Sequence, residues 1–397
     1  MATESLTLVV NPGSASHKYA LFCGQYQWAS IHFEFIDGRV VGKIDHAGEQ
    51  QSESYDDPDL SAVAHYVLPL LRKYRVISDD DKVATIGIRI VAPGSRFAQD
   101  ELINGQTVAA LRSIQQRAPL HVTTALSELE HLETYFPGVP IVAISDSAFH
   151  ATKPVWATYY GIDVELAENS DIKRYGYQGI SVSSIVQNLA GRDMLLPKTI
   201  VCHLGSGSSV TALSDGQSID NTMGYSPLEG LVMSSRSGDI DVAAALAIKR
   251  QLHLSDDDLE EYLNKRSGLL GLSGSSNDVR QLRVSEDVGD ERAQLALKIF
   301  VYRIQQAIGQ MAASLGGVDC LVFTATIGER STVIRKRVVD GLGFLGFIID
   351  NEVNDHTYEP SDVANVGTGP SKPILVVSTD EAAEIAHRAE QYVSIHA

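Results

Sequence analysis

The sequence predicts an α/β fold made of two similar halves. Strand-like runs recur at 85–91, 141–145, 199–203, 320–325 and 374–378, with helical patterns between several of them. Such alternation marks the α/β class. In addition, Val9-Val10-Asn11-Pro12-Gly13-Ser14-Ala15-Ser16 is echoed half a chain later by Val201-Cys202-His203-Leu204-Gly205-Ser206-Gly207-Ser208. Each copy reads as strand, Gly-Ser loop, strand. A duplicated unit with a phosphate loop in each half accounts for the echo, and so do two unrelated glycine turns. With 397 residues there is room for two or three domains, each with a sizeable core.

The elements follow in order. Leu6–Asn11 is β-branched and alternating, the turn Pro12–Ser16 follows, and Tyr19–Phe22 forms a second strand before Gly24. The polar stretch from Asp45 to Asp59 reads as an exposed connection, and Ser61–Tyr74 as a helix with Pro69 a candidate kink. Ser255-Asp256-Asp257-Asp258 has the S-x-x-D form of a helix start. From Asp290 to Leu315, apolar residues at Ala293, Leu297, Phe300, Ile304, Ile308 and Met311 keep helical spacing, and Gly316-Gly317 supplies a stop.

Composition narrows the partners. A net charge of −18 argues against nucleic acid and anionic membranes, which select a basic face. It leaves room for a small anionic substrate in a locally cationic site. Cys23, Cys202 and Cys320 fit neither a zinc motif nor a disulfide framework and read as buried thiols. Without a leader pattern or an apolar run of membrane-spanning length, the expected location is cytoplasmic.

A phosphate site needs backbone N–H groups, small residues that allow close approach, and cations. Gly13-Ser14-Ala15-Ser16-His17-Lys18 offers all three but lacks the Gly-Lys-Ser/Thr order of a Walker loop, and Gly205-Ser206-Gly207-Ser208-Ser209 is a second loop of the same type. Arg89 lies in an apolar run, where a charge is paired or functional. Arg236 lies among small residues, with Asp239 and Asp241 as alternative local partners. Asp146 follows the strand Ile141–Ile144, where an open sheet binds ligands; a helix cap explains it as well.

Taken together these segments resemble the acetate kinase family. The resemblance is carried by Asn11-x-Gly13-Ser14-x-Ser16-x-Lys18, Ala118-Pro119-Leu120-His121, Asp146-Ser147-Ala148-Phe149-His150 and His203-Leu204-Gly205-x-Gly207-Ser208-Ser209. Met223–Leu231, Arg236–Asp241, Ser267–Gly271, Phe323–Glu329 and Thr379-x-Glu381 extend it in family order over nearly the whole chain. The resemblance implies two actin-like (ribonuclease H-like) lobes with the site between them, 1–149 completed by the helix 381–397, and 150–380. It implies a homodimer and phosphoryl transfer between ATP or ADP and a short-chain carboxylate, acetate to acetyl phosphate. Asn11 and Glu381 would hold Mg2+, with Mn2+ as an alternative. Arg89 and Arg236 would clamp the carboxylate and the migrating phosphoryl group, Asp146 would orient or deprotonate the acid, and His203 would donate to the phosphoryl. Val91, Leu120, Tyr177 and Pro227 match the apolar pocket for the alkyl end, with His121 a further substrate contact. Ser14, Ser16 and Lys18, then His203, Leu204, Gly205, Ser206 and Gly207, would hold phosphate. Asp278, Val279, Arg280, Thr326, Ile327, Gly328, Glu329 and Arg330 would hold the nucleotide.

The sequence departs from the family at instructive places. Gln178 stands where the family has the histidine taken to stabilise the transition state, and an amide donates without charge. Thr326 replaces a glycine and Arg330 a neutral amide where adenosine should lie. Ile88 and Ala92 replace histidines, Val122-Thr123 replaces Asn-Pro, and Ser206 replaces Asn. These changes keep two alternatives open within the fold: a different phosphoryl donor such as diphosphate or another nucleotide, or a longer acid such as propionate. An actin-like nucleotide-binding module with little catalysis is the alternative of another class. It has no evident need for two clamping arginines and an acid.

Overall fold

The computed structural model describes residues 5–13, 16–115 and 119–396; Ser14 and the side chains of Leu120 and His121 lie outside the described residues. The chain divides into two compact units, Met1–Ala148 with Asp380–Ala397, and Phe149–Thr379.

The first unit contains β1 (Leu6–Pro12), β2 (Ser16–Cys23), β3 (Tyr26–Ile36), β4 (Arg39–His46), β5 (Glu49–Tyr55), β6 (Val83–Ile90), β7 (Glu101–Leu102) and β8 (Ile141–Ser145). Its sheet runs β5-β4-β3-β2-β1-β6-β8-β7. β1 to β5 form antiparallel pairs, and β6 and β8 join parallel to β1. The apolar run of β1 suits a central strand covered on both faces. Leu6, Leu8 and Val10 enter the main core with Leu129 and Leu132 of the helix Pro119–Tyr135. The other face carries the helix Glu381–His396, and Gly87 makes its close approach possible. A methyl group on Gly87 would stand 2.8 Å from Ile385 Cγ2 and 3.0 Å from Ala389 Cβ. Ile88 faces the core and alternates with Arg89 on the opposite face, so its replacement of a histidine does not widen the surroundings of that arginine.

One expectation is corrected. The polar stretch Asp45–Asp59 is not a plain connection, because Glu49–Tyr55 pairs along β4 from His46↔Glu49 to Val40↔Tyr55. An edge strand held through its backbone, with mostly exposed side chains, has no apolar alternation to reveal it.

The second unit contains β9 (Lys198–Leu204), β10 (Ser208–Ser214), β11 (Gln217–Asn221), β12 (Cys320–Thr324), β13 (Ala364–Asn365) and β14 (Ile374–Val376), in the order β11-β10-β9-β12-β14-β13. Its β11-β10-β9-β12-β14 repeats the directions of β3-β2-β1-β6-β8. The sequence echo is therefore a repeat of topology, with Asn11 and His203 at equivalent positions near the ends of β1 and β9. This is the actin-like α/β pattern. The helix Glu291–Leu315 turns its apolar stripe onto one face of the sheet. The helix Gly179–Ala190 covers the other face, packing Val182, Ile185 and Leu189 against Val201 and Val322. Each such side chain contributes about 1.5–3 kcal/mol by burial. Ser255 and Asp258 form the expected reciprocal cap. All three cysteines are buried, and burial pushes the Cys320 thiol up to about 12.

Candidate active site

The first unit brings four distant residues together at its strand ends. Asn11 ends β1, Arg89 lies one residue from the end of β6, Asp146 follows β8, and Glu381 opens the C-terminal helix. Arg89 Nη2 donates to Asp146 Oδ2 at 3.0 Å and Nη1 to Asn11 Oδ1 at 3.3 Å. Asn11 Nδ2 donates to Glu381 Oε2 at 3.1 Å. Burial alone would lower the Arg89 pKa, but the charges of Asp146 and Glu381 outweigh it and hold the guanidinium above its ordinary range. Arg89 Nε is buried and has no hydrogen-bond partner among the described residues. Leaving such a donor unmet costs about 1–3 kcal/mol, which an anionic ligand would recover. Lys18 is the cross-strand neighbour of Asn11, so both side chains leave the same face of the sheet. Val91 is partly buried just beyond β6, and Ser16 opens β2.

Two residues the sequence reading missed hold these ends in register. Arg388 donates to Asp100 (Nε to Oδ2, 2.9 Å) and to the Ser145 carbonyl at 3.1 Å, while Ser145 N donates to Asp100 Oδ1 at 2.9 Å. This clamp ties the C-terminal helix to the residue before Asp146. Neither partner belongs to a motif, and 288 positions separate them, so no local signal could have paired them.

Asn11 and Glu381 offer hard oxygens, and no group of three or more His, Cys, Asp or Glu able to hold a metal occurs among the described residues. The pair therefore suits Mg2+ or Mn2+, ions that complete their shell with water and phosphate oxygens, better than a cation needing an all-protein cage. Asn11 Oδ1 accepts from Arg89, so an ion there would compete with that bond.

In the second unit the β9–β10 loop is ringed by side-chain nitrogens. A methyl group on Gly207 would lie 3.1 Å from Gln178 Nε2 and 3.4 Å from Arg236 Nη1; one on Gly205 would lie 3.7 Å from His203 Nε2. Only glycines leave this space open to a ligand. Thr379 Oγ1 donates to Ser181 Oγ at 2.9 Å, and Ser181 Oγ lies 2.7 Å from His203 Nδ1. Ser181 Oγ can give its own hydrogen to Nδ1, and the ring proton would then sit on Nε2, the edge nearer the loop. Gln178 has a left-handed backbone at φ 62°, uncommon outside glycine. The preceding carbonyl, of Tyr177, accepts from His150 Nε2 at 2.9 Å and Asn221 Nδ2 at 3.4 Å. Tyr177 itself is buried, with its hydroxyl on the Tyr225 carbonyl at 2.7 Å.

Arg236 Nη1 donates to the Pro227 carbonyl at 3.3 Å. The nearby acids have backbone tasks: Asp239 accepts from Gly230 N, and Asp241 caps the helix Val242–Leu252. Beside the loop, Ser206 opens onto a pocket of about 520 Å3. Of the expected nucleotide contacts, Asp278, Val279, Arg280, Thr326, Ile327 and Arg330 line it. Glu329 turns inward, accepting from Ala325 N at 2.8 Å and Thr379 N at 3.3 Å, and Leu204 faces the core. Gly328 packs on the Phe323 backbone. Asn277, Arg283 and Tyr358 line the pocket unforeseen. Arg283 follows Arg280 by three positions on one helix, a spacing that could have been read; Tyr358 gave no signal. Arg330 pairs with Glu359 at 2.5 Å and Arg280 with Asp278 at 2.6 Å, so the cations at the rim are balanced.

Comparison with known proteins gives a consistent picture. The model of the acetokinase family matches residues 6–387. An acetate kinase from Desulfitobacterium hafniense is 37% identical over 388 residues, 96% of this chain and 97% of that protein. One from Clostridium botulinum is 36% identical over 402 residues, covering 97% and 98%. Among solved structures, a propionate kinase from Francisella tularensis superposes with a TM-score of 0.89 at 32% identity over 98% of this chain and 99% of that one. The acetate kinase of Porphyromonas gingivalis gives 0.87 at 30% identity over 98% and 100%.

Proposed function

Since the chain belongs to the acetokinase family, we propose that it moves the terminal phosphoryl group of ATP reversibly onto acetate, giving acetyl phosphate and ADP. One observation carries the reading: three side-chain nitrogens, from Gln178, His203 and Arg236, gathered on a glycine loop beside a pocket of nucleoside size. A phosphoryl group in transfer spreads charge over its equatorial oxygens, and donors fixed in advance stabilise that charge without reorganising. Backbone N–H groups of the Gly205–Gly207 loop would meet the phosphate oxygens. The balanced ion pairs at the pocket rim favour a nucleoside over a free diphosphate.

Arg89 takes the acid. A short-chain carboxylic acid is ionised at neutral pH, like Asp and Glu, and needs no base. Asp146 therefore acts through the 3.0 Å bond that fixes Arg89. Asn11 and Glu381 would hold Mg2+, which when bound offsets charge on the phosphate oxygens.

On this reading the protein works in the cytoplasm as a homodimer. The helix Val242–Leu252 has no buried residue, and Val242, Leu246 and Leu252 are exposed on it. An uncovered apolar surface of that kind suits a second copy. Light scattering should give twice the chain mass, and Leu246→Glu should halve it.

Trapping the acyl phosphate with hydroxylamine tests the activity. Hydroxamate should form with ATP and acetate and more slowly with propionate. Faster turnover with diphosphate than with ATP would replace the donor. No hydroxamate from any donor and acid would leave the actin-like binding module standing instead.

A further inference from the structure

We propose that Ser209 is a positioning residue that sets which edge of the Gln178 amide faces the transferring phosphoryl group. The inference rests on the function proposed above. Ser209 is fully buried, on the residue of β10 that pairs with His203 across the β9–β10 hairpin. Its Oγ donates to Gln178 Oε1 at 2.6 Å. That bond commits the acceptor end of the amide to the protein. The donor end, Nε2, then faces Gly207, where it stands beside Arg236 Nη1.

An amide has two chemically opposite ends on one planar group, and a half-turn about its last torsion exchanges them. With Nε2 toward the loop, Gln178 donates to a phosphate oxygen. With Oε1 there, it sets a second negative end against that oxygen. A histidine at this position has ring nitrogens at both sides and is sensitive in a different way, through its tautomer. A glutamine therefore needs a partner that favours one of its two ends. The serine hydroxyl donates to Oε1 at 2.6 Å; in the flipped state it would accept from Nε2 instead and leave its own fully buried hydrogen without an acceptor, which disfavours that state. The left-handed backbone of Gln178 and the two donors on the preceding carbonyl fix where the side chain starts. Ser209 fixes how it ends.

Steady-state kinetics of variants decide the matter. Ser209→Ala should lower kcat about tenfold, the scale of one oriented hydrogen bond, and leave both KM values within about twofold. Ser209→Thr, which keeps the hydroxyl, should restore most of the turnover. In a Gln178→Ala background, Ser209→Ala should have no further effect, since no amide remains to orient. Gln178→Glu is nearly isosteric, keeps an acceptor for Ser209 and removes the donor; it should fall at least as far as Gln178→Ala. It reads the donor role even if Ser209→Ala folds poorly. Additive losses in the double variant, a change confined to KM, or a Gln178→Glu enzyme with wild-type turnover would each overturn the assignment. Failure of the wild-type protein to form acyl phosphate is seen before any variant is made, and it counts against the function instead.

Discussion

The two units use one strand topology for two kinds of site. At the end of β1 and β6 the first unit stores charge: Arg89 is locked between Asp146 and Asn11, and Asn11 leans on Glu381. At the equivalent end of β9 the second unit keeps an open glycine loop, with His203 and the amide of Gln178 held by hydroxyl groups. The first arrangement fixes a cation so that it neither drifts nor titrates. The second, beside the cation of Arg236, fixes two neutral donors through the hydroxyl each is bonded to. The same repeat can be specialised in both ways because strand ends in an open sheet present side chains without disturbing the ladder behind them.

The sharpest way to break that contrast is Arg89→Ala. Turnover should fall by about 10²–10³ or more, and stability should fall with it. Arg89 is only partly exposed and Asp146 is buried, so removing the arginine takes the main counter-charge from Asp146, at a cost of up to about 3–5 kcal/mol. Denaturant titration alongside kinetics reads both. A variant that loses turnover at unchanged stability would show that Asp146 finds another partner, and that the first unit does not depend on the pair.

Ser181→Ala probes the neutral side. It removes the hydroxyl between Thr379 and His203, so the ring proton is free to occupy either nitrogen. Turnover should drop about 10- to 100-fold, less than the loss of a whole oriented donor, with a stability change of only about 1 kcal/mol. A loss of stability as large as that of Arg89→Ala would erase the distinction between the units.

Gln178→His should move the other way. An imidazolium makes a charge-assisted bond, roughly twice as strong as the neutral amide, and turnover should rise several-fold. Only the protonated ring has that advantage, so the gain should grow as pH falls through about 6.5 and vanish above it. Equal or lower turnover across that range would remove Gln178 from the site.

What could be read in advance follows the same division. The charged cluster was visible because Arg89 in an apolar run and Asp146 after a strand are anomalies that need a reason. The glycine loops were visible because the echo repeats them. The hydroxyl braces were not, since a buried serine such as Ser181 or Ser209 looks like any small core residue until its partner is known. The clamp of Arg388 on Asp100 was hidden by distance along the chain, and β5 by the lack of any apolar pattern on an edge strand. Ile88 was misleading in the opposite sense. It looked like a change in the acyl site, but it lies on the core face of β6, one residue and half a pleat from Arg89.

The smallest effect should come from Arg330→Asn, and its smallness is the point. Arg330 introduces a cation at the nucleotide pocket, yet it is paired with Glu359 at 2.5 Å and both side chains are substantially exposed. Exposed pairs of this kind are worth about 0–1 kcal/mol, so removing one should change the nucleotide KM by less than about fivefold. Glu359→Gln is the informative partner variant. It frees the arginine without moving it, and nucleotide binding should tighten modestly at low salt and return to the wild-type value as ionic strength rises. If Arg330→Asn instead raises the nucleotide KM tenfold or more, the guanidinium is a ligand contact in its own right. The nucleotide pocket would then rely on charge as the strand ends of the first unit do.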